Sequence, residues 1–243
     1  MYQIIQTIVF SAGENGGNPC PVVRDADELS TEDMQAMTAE LGFESVYILK
    51  PTRPDCDVYF RYFVPLHEME MCVHATIAAV TTLVRDGIIT KSPISIQMAL
   101  GKISVTWEHI DAGILVAVNQ FLPRKIMDGP SKEELCRALR ISSSELDELP
   151  CCSVATSRYK LIVPLKSTAV LNNLNLDFPY LWELCDKYGT TGFYPFTQEH
   201  METGEIVYHA RQFPKRAGYN EDPATGVAAS ALGAYLAQFD VRI

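Results

Sequence analysis

CVHATIAAV at residues 72–80 and DPATGVAAS at residues 222–230 repeat one pattern at two distant places in the chain. Each segment starts with small and hydroxyl-bearing residues and continues into an apolar helix period. A helix that begins with small residues leaves its first amide N–H groups open to a ligand. Those amides and the helix dipole favour an anion such as a carboxylate. The repeat therefore predicts a pocket for a small acid, formed by two helix starts.

The composition is that of a globular protein. The chain has 243 residues, 47% of them hydrophobic and 21% charged, which is enough for one large domain or two smaller lobes. No apolar run approaches the length of a membrane span, and residues 1–6 lack the features of a signal peptide, so we expect a cytoplasmic protein. The formal net charge of −10 repels nucleic acid and anionic membranes, so we expect neither as a partner.

The cysteines and histidines show no pattern typical of a cross-link or a metal site. The seven cysteines are odd in number and include no C-x-x-C pair, which argues against a disulfide framework. The five histidines lack metal-ligand spacing. We therefore expect reduced thiols and no metal.

Strands and helices occur in both halves, and each half contains one strongly apolar helix, at residues 73–86 and 224–237. The stretch 121–130 has two prolines and a glycine and is the candidate crossover between halves. We predict two lobes built alike, at residues 1–120 and 121–243. Further strands are predicted near 1–9, 44–49, 58–64, 94–99, 102–107, 113–118, 192–197 and 205–213, with a pair of strands over 152–163, and further helices near 30–41, 131–139, 166–173 and 178–187.

Four side chains are candidates for the chemistry. Glu44 lies among large apolar residues, where a carboxyl group is a workable proton carrier, although an exposed strand end is the alternative. His74 begins an apolar helix and can hydrogen-bond a substrate, or it is a capping or core histidine. Cys72 is either a thiolate stabilised by the helix N-terminus or a buried, inert thiol. Asp222 is predicted to cap the second helix, with Pro223 at the first helical position, and it can also bind an ammonium or hydroxyl group of a substrate.

Four motifs occur in an order that resembles the PhzF-like family, the phenazine-biosynthesis isomerases on the diaminopimelate-epimerase fold. They are Gly17-Asn18-Pro19, Glu44, Cys72-x-His74-Ala75-Thr76 and Glu221-Asp222-Pro223-Ala224-Thr225-Gly226. The resemblance spans residues 1 to about 238. It implies an α+β fold of two pseudo-symmetric lobes, each a curved mixed sheet around a central helix.

The resemblance also implies an isomerase that needs no metal or organic cofactor and acts, as a homodimer, on a small carboxylate-containing metabolite. Glu44 matches the residue that moves a proton between two ring carbons, and His74 and Asp222 match residues that orient the substrate and assist the transfer. The residues that match the substrate-binding positions are Gly17, Asn18, Cys72, Val73, Ala75, Thr76, Thr225, Gly226 and Val227.

Two positions depart from the family pattern. Val73 replaces a glycine and crowds the predicted carboxylate cradle, and Val227 replaces a serine whose hydroxyl would bond the substrate. Two alternatives stay open. One is a cofactor-independent amino-acid epimerase or racemase, for which Cys72 supplies one thiol while residues 222–227 supply none. The other is a catalytically silent binding protein on the same fold.

Overall fold

The computed structural model of the chain describes residues 2–13, 16–124 and 127–239. Its internal contacts group the chain into two compact units, Met1–Phe121 and Leu122–Ile243. Each unit contains one mixed sheet together with helices, which confirms the α+β class. Within the described ranges, none of the helices combines enough length and apolar character to cross a membrane.

Over its described residues, the N-terminal unit contains an eight-stranded sheet and two helices. Its elements are β1 (Gln3–Val9), β2 (Asn18–Arg24), α1 (Thr31–Leu41), β3 (Ser45–Leu49), β4 (Val58–Val64), β5 (His67–Met69), α2 (Val73–Arg85), β6 (Ile94–Met98), β7 (Gly101–Ile110) and β8 (Gly113–Val118). The strand order is β1-β2-β3-β4-β6-β7-β8, with β5 paired to β4. Strands β2 and β3 are parallel, as are β4 and β6, and the other pairs are antiparallel.

This sheet curls around α2. The helix contacts β1, β2 and β3, and it also contacts β8, at the other end of the strand order. Seven flat strands spaced about 4.8 Å apart would hold the two end strands roughly 29 Å apart. A helix about 10–12 Å across cannot contact both ends of such a sheet. The strands therefore wrap around the helix, as the resemblance implies.

The two faces of this sheet carry different helices. Val23, Tyr47 and Phe63 pack against Met34 of α1 on the outer face. The neighbouring residues along β3 and β4, Val46 and Tyr62, pair with each other and face α2. The Tyr62 hydroxyl contacts Thr76 of that helix. Alternation along β3 and β4 thus places one set of side chains on each helix.

The C-terminal unit contains a six-stranded sheet. Its elements are β9 (Met127–Asp128), α3 (Lys132–Leu139), a 3₁₀ turn (Ser143–Glu145), β10 (Cys152–Val154), β11 (Lys160–Pro164), α4 (Thr168–Asn172), α5 (Phe178–Lys187), β12 (Gly192–His200), β13 (Ile206–Ala210), β14 (Phe213–Pro214) and α6 (Gly226–Gln238). The order is β13-β12-β11-β10-β9, with β14 paired to β12. Only β11 and β12 form a parallel pair among these described strands.

Helices cover both faces of this second sheet as well. Ala228, Ala231 and Tyr235 of α6 pack on Ile162 and Phe196 at one face. On the other face, residues of α3 and α5 form a separate apolar cluster with side chains of β11 and β12. The apolar residues that predict α6 are therefore the residues that pack against the sheet.

Two sequence predictions of elements need correction, and one short strand was missed. The predicted crossover at residues 121–130 includes the short strand β9, which pairs with β10, while residues 125 and 126 lie outside the described residues. The predicted strand 205–213 is two strands, β13 and β14, separated by Arg211 and Gln212. Strand β5 was not predicted, because three residues are too few to show a period.

Candidate active site

Glu44, Cys72 and His74 form one cluster in the N-terminal unit. The Cys72 thiol lies 3.0 Å from Oε2 of Glu44 and 3.2 Å from Nδ1 of His74. Nδ1 of His74 lies 3.5 Å from the same Glu44 oxygen. The His74 side chain is 2% exposed and that of Glu44 is 11% exposed. The structure therefore brings together three predicted residues as a compact, largely buried set of proton-carrying groups.

The positions of these side chains follow from where two helices end and begin. Gly42 ends α1 in the left-handed conformation, with φ 75°, and its N–H donates to the carbonyl of Thr38 at 3.0 Å. Glu44 follows in the short link to β3, where the Ser45 hydroxyl donates to the Phe43 carbonyl. Glu44 is thus held by a tight αβ connection and not by an exposed strand end.

Cys72 is the N-cap of α2, and its backbone is extended. His74 follows two residues later within the first turn, so both side chains leave the helix start. No amide N–H of the first turn lies in hydrogen-bonding geometry with the Cys72 side chain. The thiol is therefore available for its contacts with Glu44 and His74.

The surroundings of the Cys72 thiol favour its protonated form. Burial is the main influence that raises its pKa well above the ordinary value, and the negative charge of Glu44 raises it further. The Ala75 amide acts in the opposite direction with a smaller effect. The buried-thiol alternative is therefore supported over a thiolate stabilised by the helix N-terminus. A protonated thiol donates its hydrogen bond to the Glu44 carboxylate.

Asn18 and Gly17 lie at the same end of the sheet as Glu44. Parallel pairing of β2 with β3 joins Val22 to Val46, which sets Cys20 and Asn18 near the start of β3. Gly17 has φ +95°, and a Cβ there would come within 2.9 Å of the Val9 carbonyl oxygen. Only glycine fits this turn without strain, so the turn fixes where buried Asn18 begins β2.

Two residues that the sequence analysis did not single out belong to this cluster. Cys20 is buried, and the Glu44 charge adds to burial in raising the pKa of its thiol. Tyr62 is fully buried, and its hydroxyl lies 2.7 Å from Oγ1 of Thr76. Oγ1 of Thr76 donates to the Cys72 carbonyl at 2.7 Å, so Tyr62 is the donor to Thr76. These two hydrogen bonds hold the start of α2. The sequence gives no signal that singles out Tyr62, because tyrosine is common in strands.

The other predicted residues lie in the C-terminal unit, around the start of α6. Asp222 is buried, its backbone N–H donates to the Gln212 carbonyl at 3.0 Å, and its carboxylate accepts a hydrogen bond from the Thr225 hydroxyl. Gly226 is the first residue of α6, and Val227 behind it is buried. Burial and the nearby charge of Asp222 raise the pKa of Tyr194 to about 12.

The prediction that Asp222 caps the second helix is wrong. The N-cap is Thr225, and α6 begins at Gly226, two residues later than predicted. The reason is the isolated β-bridge between Gln212 and Asp222, which keeps residue 222 in extended pairing. The Thr225 hydroxyl bonds Asp222 instead of capping the helix. The predicted site residues thus form two sets, one in each unit.

A family model described as phenazine biosynthesis-like protein (PhzC-PhzF) matches residues 8–241. The chain belongs to this family.

Curated relatives of this family member are named as isomerases. An uncharacterized isomerase of Clostridium acetobutylicum is 32% identical over 97% of this chain and 79% of its own length. The trans-2,3-dihydro-3-hydroxyanthranilate isomerase of Pseudomonas aeruginosa is 28% identical over 98% of this chain and 81% of its own length. These names support isomerase activity for the family.

Solved structures confirm the fold of this family member. A Bacillus anthracis phenazine biosynthesis protein of the PhzF family superimposes with a TM-score of 0.83, at 28% identity, covering 96% of this chain and 79% of that chain. A hydroxyproline epimerase of Agrobacterium vitis shares the fold, with a TM-score of 0.59 at 11% identity, covering 93% and 75%. The epimerase-like fold class is therefore confirmed.

Proposed function

We propose that this chain is an isomerase that shifts a proton on a small carboxylate-bearing amino or cyclic metabolite, with Glu44 as the acid/base group. The contact that carries this proposal is the 3.0 Å hydrogen bond from the Cys72 thiol to Glu44, with His74 3.5 Å from the same oxygen. A carboxylate held by two neighbours in a fixed direction is suited to take a proton from one carbon and return it to another.

His74 and Cys72 are proposed to hold Glu44 and to balance its charge as the proton moves. When Glu44 gains the proton, its carboxylate no longer needs the hydrogen bond from the thiol, and when Glu44 releases the proton the bond is restored. The first-turn amides of α2, around Val73, Ala75 and Thr76, are proposed to bind the substrate carboxylate. Thr76 is itself oriented by Tyr62.

The remaining predicted residues complete the proposal. Gly17 and Asn18 are proposed to shape the carboxylate site, and the Asp222 carboxylate to bind an amino or hydroxyl substituent of the substrate. Thr225, Gly226 and Val227 are proposed to provide the second set of helix-start contacts. A cofactor-independent reaction and a homodimer are also part of the proposal and rest on the family resemblance. A cytoplasmic location and lobes at 1–120 and 121–243 are part of it as well, and they rest on the composition and on the sequence pattern.

A proton shift on one face of the substrate is favoured over two-base epimerisation. Two-base epimerisation needs a donor on each face of a stereocentre. Cys72 and Glu44 are hydrogen-bonded to each other, so both approach a substrate from one side. A single carboxyl group that carries one proton is expected to return part of the original label to the product. Epimerisation by this pair is therefore the weaker candidate.

The test follows the hydrogen label. Wild-type chain is incubated with trans-2,3-dihydro-3-hydroxyanthranilate and with a panel of cyclic amino acids and carboxylates, each deuterated at the acidic carbon. We expect isomerisation of at least one substrate with partial internal return of deuterium. Glu44→Gln should slow turnover by about 10²–10⁴-fold, the range for loss of a general acid/base, while binding of the ligand persists.

Glu40→Gln is the matched control, because Glu40 is an exposed residue of α1 outside the cluster. It should leave turnover unchanged. Full activity in Glu44→Gln would remove Glu44 from the mechanism. Silence of the wild-type chain across the panel, together with ligand binding, would favour the binding-protein alternative.

A further inference from the structure

We infer that Glu44, Cys72 and His74 form a binding site for a thiophilic divalent cation, of which Zn²⁺ is the best fit. Each residue offers one ligand atom, and these atoms lie within 4.8 Å of one another. The atoms are a carboxylate oxygen, a sulfur and an imidazole nitrogen, which is a donor set typical of zinc. The sequence prediction of no metal relied on the spacing of histidines. That spacing could not detect this cluster, because Glu44 lies 28 residues before Cys72.

The distances among the three ligand atoms are close to those that a tetrahedral ion requires. Bonds of about 2.0 Å to oxygen and nitrogen and about 2.3 Å to sulfur place ligand atoms roughly 3.3–3.6 Å apart. The separations are 3.0 Å for sulfur to oxygen, 3.2 Å for sulfur to nitrogen and 3.5 Å for nitrogen to oxygen. Shifts of about half an ångström or less convert the hydrogen-bonded cluster into a coordination triangle.

Charge and ligand type select the kind of ion. On binding, the Cys72 thiol gives its proton to the solvent, and the thiolate and the Glu44 carboxylate together balance a 2+ charge. A sulfur and an imidazole ligand favour zinc over magnesium or calcium, which prefer oxygen ligands. Three protein ligands leave a fourth position open for water or a carboxylate. An ion bound here would occupy the lone pairs that the proton shift needs, so it would act as an inhibitor.

Calorimetric titration of the chelator-treated full chain with Zn²⁺ tests the site. We expect one ion per chain, and more than about 100-fold weaker binding in Cys72→Ser, because loss of a second-shell partner alone costs 10–100-fold. Cys56→Ser should bind as the wild type does, since Cys56 lies outside the cluster. Wild-type affinity in Cys72→Ser would overturn the inference.

Cobalt spectra supply a readout that leaves all three proposed ligands in place. Co²⁺ added to the wild-type chain should give a thiolate-to-cobalt charge-transfer band and the intense visible bands of tetrahedral cobalt. His209→Gln is a second control, because His209 pairs with Glu199 at 2.8 Å in an exposed site. It should leave the spectrum unchanged. Absence of the charge-transfer band in the wild type, or its loss in His209→Gln, would overturn the inference.

These binding measurements do not depend on turnover, so a failure of the proposed isomerase leaves them interpretable. If the isomerase is confirmed, Zn²⁺ should inhibit it over the same concentration range in which it binds, and Mg²⁺ should not. Inhibition without binding at Cys72 would contradict this inference and leave the proposed function intact.

Discussion

The thiol of Cys72 donates a 3.0 Å hydrogen bond to Oε2 of Glu44, and this bond joins the start of α2 to the link before β3. The two residues are 28 positions apart, and both are largely buried. A buried, protonated thiol beside a carboxylate behaves as a hydrogen-bond donor and not as a nucleophile.

The Cys72 thiol should become more reactive when Glu44 loses its charge. The Glu44 charge adds to burial in raising the pKa of Cys72, so Glu44→Gln lowers that pKa and increases the thiolate fraction at any given pH. Alkylation followed by mass spectrometry across a pH series should show the Cys72 profile shifted to lower pH. Cys185 is the internal control, because burial raises its pKa to about 12 and Glu44 is not among the causes. An unmoved Cys72 profile would contradict the assigned interaction.

Tyr62→Phe should disturb the substrate site as well as the fold. The variant removes the hydroxyl that donates to Thr76, at a cost of about 1 kcal/mol in the free energy of unfolding. Tyr235→Phe is the matched control, since its hydroxyl makes a similar 2.8 Å bond to the Pro150 carbonyl. Both variants should lose similar stability in urea titrations, and only Tyr62→Phe should raise KM. Equal KM values in the two variants would show that the Tyr62 hydroxyl has no role in binding.

Gly17→Ala should destabilise the N-terminal unit more than Gly113→Ala. Both glycines have positive φ, at +95° and +133°, so alanine is strained at each. A Cβ at residue 113 meets open space, whereas one at residue 17 meets Ile8 and the Val9 carbonyl. The extra cost at residue 17 should be about 1–3 kcal/mol, the range for overpacking. Urea titration of both variants measures it, and equal losses would mean that the turn yields without cost.

Glu134 should contribute stability that depends on pH. Hydrogen bonds from Lys187, then from the Ser131 backbone and Tyr188, lower its pKa to about 2 from 4.5. Because the folded-state pKa is the lower one, the contribution is present above about pH 4.5 and is lost as the pH falls toward about 2. The stability difference between wild type and Glu134→Gln should shrink over that interval.

Lys187→Met provides the matched control for Glu134, because Lys187 is the largest cause of the shift. In that background, Glu134→Gln should show a smaller pH dependence than it does in the wild-type chain. The same pH dependence in both backgrounds would assign the shift to the hydrogen bonds from Ser131 and Tyr188 instead.

Local signals in the sequence predict most of the helices. Helix α1 begins within one residue of its predicted start, where Ser30 and Asp33 form a capping box with bonds of 3.0 Å in both directions. Helix α2 begins at the predicted residue, Val73. The start of α6 was missed by two residues, because the bridge between Gln212 and Asp222 is a pairing over ten positions that no local pattern reports.

The candidate site is only partly predictable for the same reason. The types and order of Glu44, Cys72 and His74 predict that they take part in proton transfer. Their proximity in space depends on the turn after α1 and on the register of β2, β3 and β4. Cys20 and Tyr62 enter the cluster through that register. The protonation of Cys72 depends on burial, which outweighs the helix start, and burial depends on the packed tertiary structure.

Helix α2 contacts both end strands of its sheet, and its first turn carries residues of the candidate site. The packing of the sheet and the geometry of the site therefore depend on the same helix. Ala78 and Ala79 of this helix are buried, so a larger side chain at either position would meet packed neighbours. A bulkier side chain there would push the curled sheet away from α2 and tilt the helix. The tilt would move the first turn of α2, which carries His74. Substitutions that change substrate preference are therefore tolerated better in the connecting loops than in helix α2, around which the sheet curls.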